Sequence, residues 1–592
     1  IDADQYITIA EGVGFNQSPV AGAPLSPLSG DSLSGANLRF SWSGAVNPEA
    51  EDLTYRIHLW GTGVDTLIQV INDTLLYLPG PALPGPGNYS WRLEVSDGYS
   101  LVSGFDIVDF YANPTHENFT SVTGVDISPD SGYSEGVVWS DFNNDGLPDI
   151  YVSNLLSQKN LYYVNDGGGF NRVDSLGITA RSGDSYGATS GDFNGDGLPD
   201  LFVIHGLSNQ DQNNQLFLND GAGGFTEVSA TPIVSDGGRS WSCSAIDFDR
   251  DGFLDIFVAN YGQNNALYRN DGGQLVDATA QLDPAVVDDI SYEGVFLDAD
   301  LDGDLDLYVV NDFGNTWPNR VLWNDGTGHF TLDDPSSPSG LVQSMTGMGL
   351  GIGDLDGDER PDLAIPQWAK NTLFLSGSGR WVDWAGSVGF EPTSARQQRV
   401  GWGTVLGDID NDGDLDAFTA YGHLWTLNRV WNNPELQADA LYVNEPNGDG
   451  WRFVDRAQEL GTADPHAGRG GALVDLDGDG WLDLVSRHVD GPDDVLMARC
   501  GDARWLRVRA RMPGTPNTRA IGAKIELYGH GTHQTRWLVG GGTGFASAAP
   551  PEAHFGLGQD DGVALRVTWP DGVVSWHDDV ATNRIVTLTR DR

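Results

Sequence analysis

DFNGDGLPDLFVIH, residues 192–205, carries an acid or an amide at its first, third, fifth and ninth positions and glycine at its sixth, and then turns apolar. A calcium ion takes six to eight oxygen ligands, so a short loop must aim several carboxylates at one point. Alternate residues at positions one, three and five do this, position seven offers its backbone carbonyl, and position nine closes the shell. Glycine at six permits the sharp reversal. The pattern recurs seven times, opening at Asp141, Asp192, Asp247, Asp298, Asp354, Asp408 and Asp475, in steps of 51 to 67 residues.

With position seven counted for its main chain only, the first two candidate ligand sets are Asp141, Asn143, Asp145, Leu147, Asp149 and Asp192, Asn194, Asp196, Leu198, Asp200. The third and fourth are Asp247, Asp249, Asp251, Phe253, Asp255 and Asp298, Asp300, Asp302, Asp304, Asp306. The fifth and sixth are Asp354, Asp356, Asp358, Arg360, Asp362 and Asp408, Asp410, Asp412, Asp414, Asp416. The seventh is Asp475, Asp477, Asp479, Trp481, Asp483. Without metal, the carboxylates of each loop would repel one another and oppose folding of the hairpin. The expected cofactor is therefore Ca²⁺, about seven ions, with binding coupled to stability. An EF-hand opens on a similar triplet but requires a bidentate Glu at position twelve and then a helix. Here position twelve is Val152, Val203, Val258, Val309, Ile365, Thr419 or Ser486, inside a β-rich run. The fifth loop departs from the pattern, with Glu359 where the others have Gly, so any positive-φ strain falls on it.

Each repeat has room for four strands. A Gly-rich strand enters the acidic loop (GVVWSD, GATSGD), a second leaves it (IYVSN, LFVIH, IFVAN, LYVVN), a third ends in Asn-Asp-Gly (NQLFLNDG, NRVLWNDG), and a fourth follows (GGFTEVS, GHFTLD). Asn-Asp-Gly is a strong hairpin signal. The seventh repeat ends near DDVLMARCGD without a fourth strand, whereas ENFTSVTGV, residues 117–125, precedes the first loop. The expectation is that this orphan completes the last blade and so removes the open sheet edge. The fold class expected is all-β: a seven-bladed propeller over residues 114–503, flanked by a β-sandwich over 1–113 and a small β domain over 504–592.

The first segment owes its reading to Pro-rich turns (Pro81, Pro84, Pro86) and to alternating strands at Leu38–Trp42, Leu53–Trp60 and Tyr89–Val95. Across all 592 residues, 84 acids stand against 32 bases for a net charge of −52, which repels nucleic acid and anionic lipid. No apolar stretch approaches a membrane span. The chain begins at Ile1 with no basic-apolar leader, so it reads as a mature exported product whose signal peptide has been removed. Cys243 and Cys500, far apart, read as two buried thiols.

Several phrases carry a family resemblance. LRFSWSGAVNPEAEDLTYRIHLW and GNYSWRLEVSDG resemble a fibronectin type III or immunoglobulin-like sandwich. The acidic repeats resemble the FG-GAP or VCBS class and the calcium hairpins of integrin-α-like propellers. RWLRVRARMPGTPNTRAIGAKIELYGHG, GFASAAPPEAHFGLG and LRVTWPDGVV resemble the ASPIC/UnbV domain, matched at Trp505, Gly522, Phe555, Gly556, Trp569 and Gly572. The combination looks like the cartilage acidic protein family and its bacterial relatives.

Strand alternation places the second-to-third and fourth-to-first connections on the face opposite the acidic loops, and the longest insertions fall there. Trp317, Trp368, Trp425 and Trp431 lie in or beside them, either packed between blades or exposed to a sugar or protein partner. Six residues before the loop-opening acids stand Glu135, Tyr186, Trp241, Tyr292, Met348, Trp402 and Arg469, expected to ring the channel mouth with Arg239, Glu293 and Arg399. No nucleophile elbow, Cys-His pair, His-Glu-x-x-His or phosphate loop is present. The expected function is a non-enzymatic, calcium-binding structural or adhesive protein, secreted or at the cell surface, with a protein or glycan partner and self-assembly into arrays. A glycan-binding module, or an enzyme acting on a polysaccharide or small molecule at the channel mouth, is the alternative.

Overall fold

The computed structural model describes parts of residues 19–121 and most of 134–590. Within the latter, 166–169, 181–183, 207–210, 285–288, 315, 334–338, 378–379, 393–398, 424–436, 449, 490–492, 499–500, 502, 542 and 546 fall outside the described residues. The chain divides into two compact units, residues 1–116 with 500–502, and residues 117–499 with 503–592.

In the first unit, Pro24–Ser26, Asn37–Trp42 and Leu75–Pro79 form one sheet, and Ser32–Ser34, Val108–Asn113, Gly87–Ser96, Thr54–Gly61 and Val64–Ile71 form another. Period-two alternation buries Tyr55, Ile57 and Leu59 on one face of Thr54–Gly61. They share a core with Phe40 and Trp42 of the first sheet and with Tyr89, Trp91, Leu93 and Val95. Phe40 meets Trp91 edge-on at 5.2 Å. Pro81, Pro84 and Pro86 lie outside the described residues.

Among the described residues the second unit holds a β-propeller of seven antiparallel sheets, six with their four strands in sequence order, the third of these joined by Gly540–Gly541, and a seventh whose outer strand comes from elsewhere in the chain. Ser185–Gly191, Asp200–His205, Gln215–Asn219 and Phe225–Glu227 make up blade two and represent the rest. The first two strands are buried on both faces, so they read as continuous rather than alternating runs. Successive first strands pack together within blades one to four and five to seven, blades four and five share a core of Val295, Leu297, Leu350 and Ile365, and Gly468–Val474 of the last blade packs against Ser134–Ser140 of the first. In the last blade the outer strand comes from the other end of the chain: Thr120 pairs with Met497 and Ser121 with Leu496.

Asn at the end of the third strand does more than turn a hairpin. Asn219 Nδ2 donates to the Pro199 carbonyl of its own blade at 3.0 Å and to the Phe142 carbonyl in the loop of the preceding blade at 2.7 Å. Asn270 bridges Leu254 and Phe193 in the same way, and Asn324 bridges Leu305 and Phe248. Asn165 spans Pro148 and, across the closure of the ring, Leu476. One amide side chain thus satisfies two buried carbonyls and ties neighbouring blades.

The C-terminal segment of this unit has a sheet of Arg504–Arg511, Ala553–Gly558 and Arg584–Thr589 and a second of His533–Trp537, Lys524–Tyr528, Gly562–Thr568 and Val574–Ala581. Leu506, Val508, Ile525, Leu527, Phe555, Leu565, Val567 and Trp569 form the core between them.

Candidate metal centre

All seven acidic loops share one main-chain course, and a network of carboxylates holds it. The position-nine acid is fully buried, and its Oδ2 accepts the N–H of position two: Phe142 to Asp149 at 3.1 Å, Phe193 to Asp200 at 2.9 Å, Phe248 to Asp255 at 3.0 Å and Ala299 to Asp306 at 3.0 Å. Leu355, Ile409 and Leu476 donate likewise to Asp362, Asp416 and Asp483. The other oxygen accepts from the third strand, as when Asn219 N–H reaches Asp200 Oδ1 at 2.9 Å. The position-one acid accepts the N–H of position six, shown by Gly197 to Asp192 at 2.8 Å and Gly252 to Asp247 at 3.0 Å. Position six has positive φ in every loop, from 69° at Glu359 to 108° at Gly413, so the fifth loop does place a non-Gly residue in the left-handed region. Position four is left-handed too, at Asn144, Arg250, Leu301 and Asn411 as well as at three glycines. Five of the seven residues there are Gly or Asn, the types that best tolerate a left-handed backbone, so the sequence carried a signal that the motif reading passed over.

These turns bring oxygens together. Single oxygens of Asp247, Asp249 and Asp251 lie within 4.8 Å of one another, as do those of Asp298, Asp300, Asp302, of Asp354, Asp356, Asp362 and of Asp408, Asp410, Asp416. Oδ1 of Asp247, Asp298 and Asp475 is buried with no hydrogen-bond partner. A buried carboxylate oxygen without a donor is costly unless a cation faces it. Burial, reinforced by the neighbouring carboxylates and opposed by the backbone N–H groups, pushes Asp149, Asp200, Asp247 and Asp306 up to about 7 and Asp362 up to about 8. Asp255, Asp408, Asp416, Asp479 and Asp483 stand well above the usual carboxylate range for the same reason. Convergent oxygens on short loops fit a hard divalent cation such as Ca²⁺.

The C-terminal segment packs onto these loops, which the sequence did not signal. Arg507 Nη1 donates to Asp475 Oδ2 at 2.7 Å, and its other end meets Glu552. Burial alone would raise Glu552, but Arg507 and Arg509 override it and hold the carboxyl down to about 2. Arg509 donates to the Gly146 carbonyl, Arg519 to the Asp141 carbonyl and Lys524 to the Glu359 carbonyl. Gly556 N–H reaches Asp408 Oδ2 at 3.1 Å. The Trp505 ring lies against Gly480, where a Cβ would come within 1.8 Å of it. Arg507, Arg509, Arg519 and Lys524 of this segment thus face the acidic loops of the same chain.

The same segment enters the propeller channel, leaving a cavity of about 160 Å³ between it and the inner strands of blades five to seven. Gly540–Gly541 pairs with Ala245 and Ser244 of the third blade. Ala548 exchanges hydrogen bonds of 2.9 Å with Val137 and Trp139 of the first blade, and Gly544 N–H donates to Leu350 of the fifth at 3.1 Å. Phe545, fully buried, lies 5.3 Å from Trp402 and 6.3 Å from Tyr292. A Cβ on Gly403 or Gly470 would meet the Gly544 carbonyl at 2.6 or 2.7 Å, so the Gly-rich inner strands leave room for this plug.

The residues expected around an open mouth are therefore enclosed. Tyr186, Trp241, Tyr292, Met348, Trp402, Arg399, Arg469 and Glu293 are all buried. Trp241 stacks on Tyr186 at 4.6 Å and on Tyr261 at 4.8 Å, and the Arg469 guanidinium sits 4.0 Å over Trp402. Glu293 accepts Leu350 N–H. Arg239 is half-exposed and pairs with Asp211 at 2.7 Å. Trp317 and Trp368 are half-buried against the core. Trp425, Trp431, Cys500 and the side chain of Glu135 lie outside the described residues, and Cys243 is buried.

With this geometry in hand, comparison with known proteins locates the chain. Residues 514–592 match the family described as ASPIC and UnbV, and residues 192–258, 247–309 and 298–365 match the FG-GAP-like repeat. Over 515 residues the chain is 26% identical to cartilage acidic protein 1 of Mus musculus, covering 77% of this chain and 74% of that protein. The Homo sapiens protein is also 26% identical, over 511 residues, with 78% and 70% covered. Among solved structures, an Agrocybe aegerita lectin that recognises non-reducing terminal N-acetylglucosamine aligns at 16% identity and a TM-score of 0.37, covering 71% of this chain and 98% of the lectin. Rhamnogalacturonan lyase YesW aligns at 12% identity and a TM-score of 0.39, covering 81% and 91%.

Proposed function

We propose that this chain of FG-GAP-like repeats and a C-terminal ASPIC/UnbV domain is an extracellular, non-enzymatic, calcium-dependent structural and adhesive protein. The observation that carries the reading is the set of buried, unpaired oxygens of Asp247, Asp298 and Asp475 beside converging carboxylates. Ca²⁺ would supply charge neutralisation, and the residues of the chain do the rest. Positions one, three and five supply side-chain oxygens, position nine fixes the loop to the third strand, and the C-terminal domain covers the result. Likeness to cartilage acidic protein 1 supports the extracellular, matrix-type setting. No described helix is long and apolar enough to cross a membrane.

The plugged channel moves recognition from the channel mouth to the outer loops and to the first unit, where a protein or glycan partner, or a further copy, would bind. Metal analysis after dialysis against micromolar calcium tests the central claim. Close to seven ions per chain are expected, with a fall in thermal stability on chelation. A chain that retains no calcium and melts identically with and without chelator would refute it.

A further inference from the structure

Arg507, Arg509 and Arg511 stand two residues apart on the strand Arg504–Arg511, so they share one of its faces, while Leu506, Val508 and Ala510 enter the core from the other. The first two guanidinium groups divide one carboxylate, that of Glu552. The third has none. Among the described residues Arg511 forms no ion pair, and its hydrogen bond runs from Nη1 to the carbonyl of its own neighbour Ala510 at 3.0 Å. Arg519 stands likewise, with Nη2 on the Asp141 main-chain carbonyl at 3.2 Å and no carboxylate within ion-pair distance. Elsewhere in the same segment Glu526 meets Arg566 and Asp571 meets Arg590.

Arg511 and Arg519 line one cavity of about 370 Å³, between the C-terminal segment and the first two acidic loops. Both are half-buried. Burial, with the like charges of Arg519 and Arg509, pulls Arg511 below the usual guanidinium range. Neighbouring charges of one sign, partly withdrawn from water, are costly unless an opposite charge stands beside them. Thr518 lines the same cavity, and its hydroxyl is buried with no hydrogen-bond partner. A hydroxyl so placed forfeits its hydrogen bonds to water with nothing in return. The acid on the wall is Asp141, and its oxygens are engaged within its own loop. Oδ1 accepts the N–H of Asp145 and Oδ2 that of Gly146, both at 2.9 Å.

We propose that Arg511, Arg519 and Thr518 form a binding site for a tetrahedral oxyanion, a sulfate or phosphate group. A guanidinium fork takes two oxygens of such a group at once, and a hydroxyl can donate to another. Two forks and a hydroxyl therefore use the several oxygens of a tetrahedral anion better than the two of a carboxylate. The cavity is larger than the ion alone, which leaves room for a small group esterified to it. A chain charge of −52 repels polyanions, so a single group is the fitting ligand. Bound there, it would tie the C-terminal segment to the first acidic loop through Arg519 and the Asp141 carbonyl.

Equilibrium dialysis of the full chain against labelled sulfate, run in calcium and again in chelator, tests the site. One ion per chain is expected in at least one of the two conditions, displaced by inorganic phosphate and not by acetate. Arg511→Gln should weaken binding at least tenfold, and Arg269→Gln, in a surface pair with Asp271, should leave it unchanged. If Arg511→Gln does not fold, Thr518→Val, which keeps the shape and removes the hydroxyl, serves the same comparison. Glucose 6-sulfate as a second competitor separates the sources of the group. Displacement assigns the site to an ester, failure to displace assigns it to the free ion, and both uphold recognition of the oxyanion. Folded parent protein that binds no sulfate in either condition, displacement by acetate as readily as by phosphate, or binding undiminished in the Arg511 and Thr518 variants overturns the proposal. Because calcium is varied independently, failure of the calcium reading would leave sulfate binding standing.

Discussion

At the scale of single residues, the acidic loops show where conformation and chemistry compete. Leu301 is half-exposed and held at φ 64°, a left-handed conformation that costs an L-residue roughly 1 kcal/mol or more. Leu301→Gly should therefore stabilise the calcium-loaded protein by about 1 kcal/mol, read from the urea midpoint, despite the greater freedom of glycine in the unfolded chain. A lower midpoint would show that the strain is absent or that the side chain holds something in place. Asp312 offers a different test. Burial raises its carboxyl to about 6, against the Phe313 N–H donated to it at 2.7 Å. The native state then holds this proton to higher pH than the unfolded chain, whose value is about 3.9. Stability from this group accordingly declines between about pH 4 and pH 6 and stays low above that. Asp312→Asn should gain roughly 2–3 kcal/mol on the parent at pH 7.5 and nothing at pH 3.5. An offset that does not vary with pH would exclude titration of Asp312 as its source.

At the scale of elements, the third-strand Asn and the channel plug carry loads that their sequences conceal. Asn270→Ala removes the donor for two buried carbonyls, those of Phe193 and Leu254. It should cost about 2–4 kcal/mol by chemical denaturation, since each orphaned group forfeits about 1–3 kcal/mol. Phe545→Ala empties a fully enclosed site between Tyr292 and Trp402 and should cost about 3–5 kcal/mol. Parental stability in that variant would mean that the plug does not hold the ring. The acidic loops were legible because a local spacing repeats seven times and each position has its own chemistry, and the Asn-Asp-Gly hairpins because the tripeptide ends the third strand of the first four repeats. The Asn bridge was half-legible: the residue was visible, but its partner lies some 77 positions earlier in the neighbouring blade. The plug was invisible as a plug, because Gly540–Ala549 reads as a flexible loop. Its role comes only from strands about 70 to 410 residues away, from Gly471 to Val137. Of the expected mouth residues, Tyr186, Trp241, Tyr292 and Trp402 meet through their rings while Arg239 pairs with Asp211, and register does not say what stands in the middle.

At the scale of the whole molecule, the propeller and the C-terminal segment form one compact unit. Arg507 and Glu552 belong to the C-terminal sheets and loops, yet one guanidinium joins Glu552 to Asp475 of the last acidic loop. Unfolding should therefore be concerted. Hydrogen exchange followed by mass spectrometry in calcium should show peptides around Trp139 and Trp569 opening in the same kinetic step, and exposure of the C-terminal peptides well before the propeller would contradict this. Chelation should advance both together. Part of the formal charge of −52 has a structural reading here as well, since the acids of the seven loops lie together and Arg507, Arg509 and Arg519 face them.

The plug also sets an order of events. Every strand that Phe545 and its neighbours touch in the propeller precedes them in the chain, so those strands leave the ribosome first. A ring without residues 504–592 would have its Gly-rich inner strands and its acidic loops uncovered. Under the calcium reading proposed above, a chain truncated after residue 503 should therefore surrender the ion to a chelator faster than one that carries this segment, and equal release rates would show that the cover does not gate exchange.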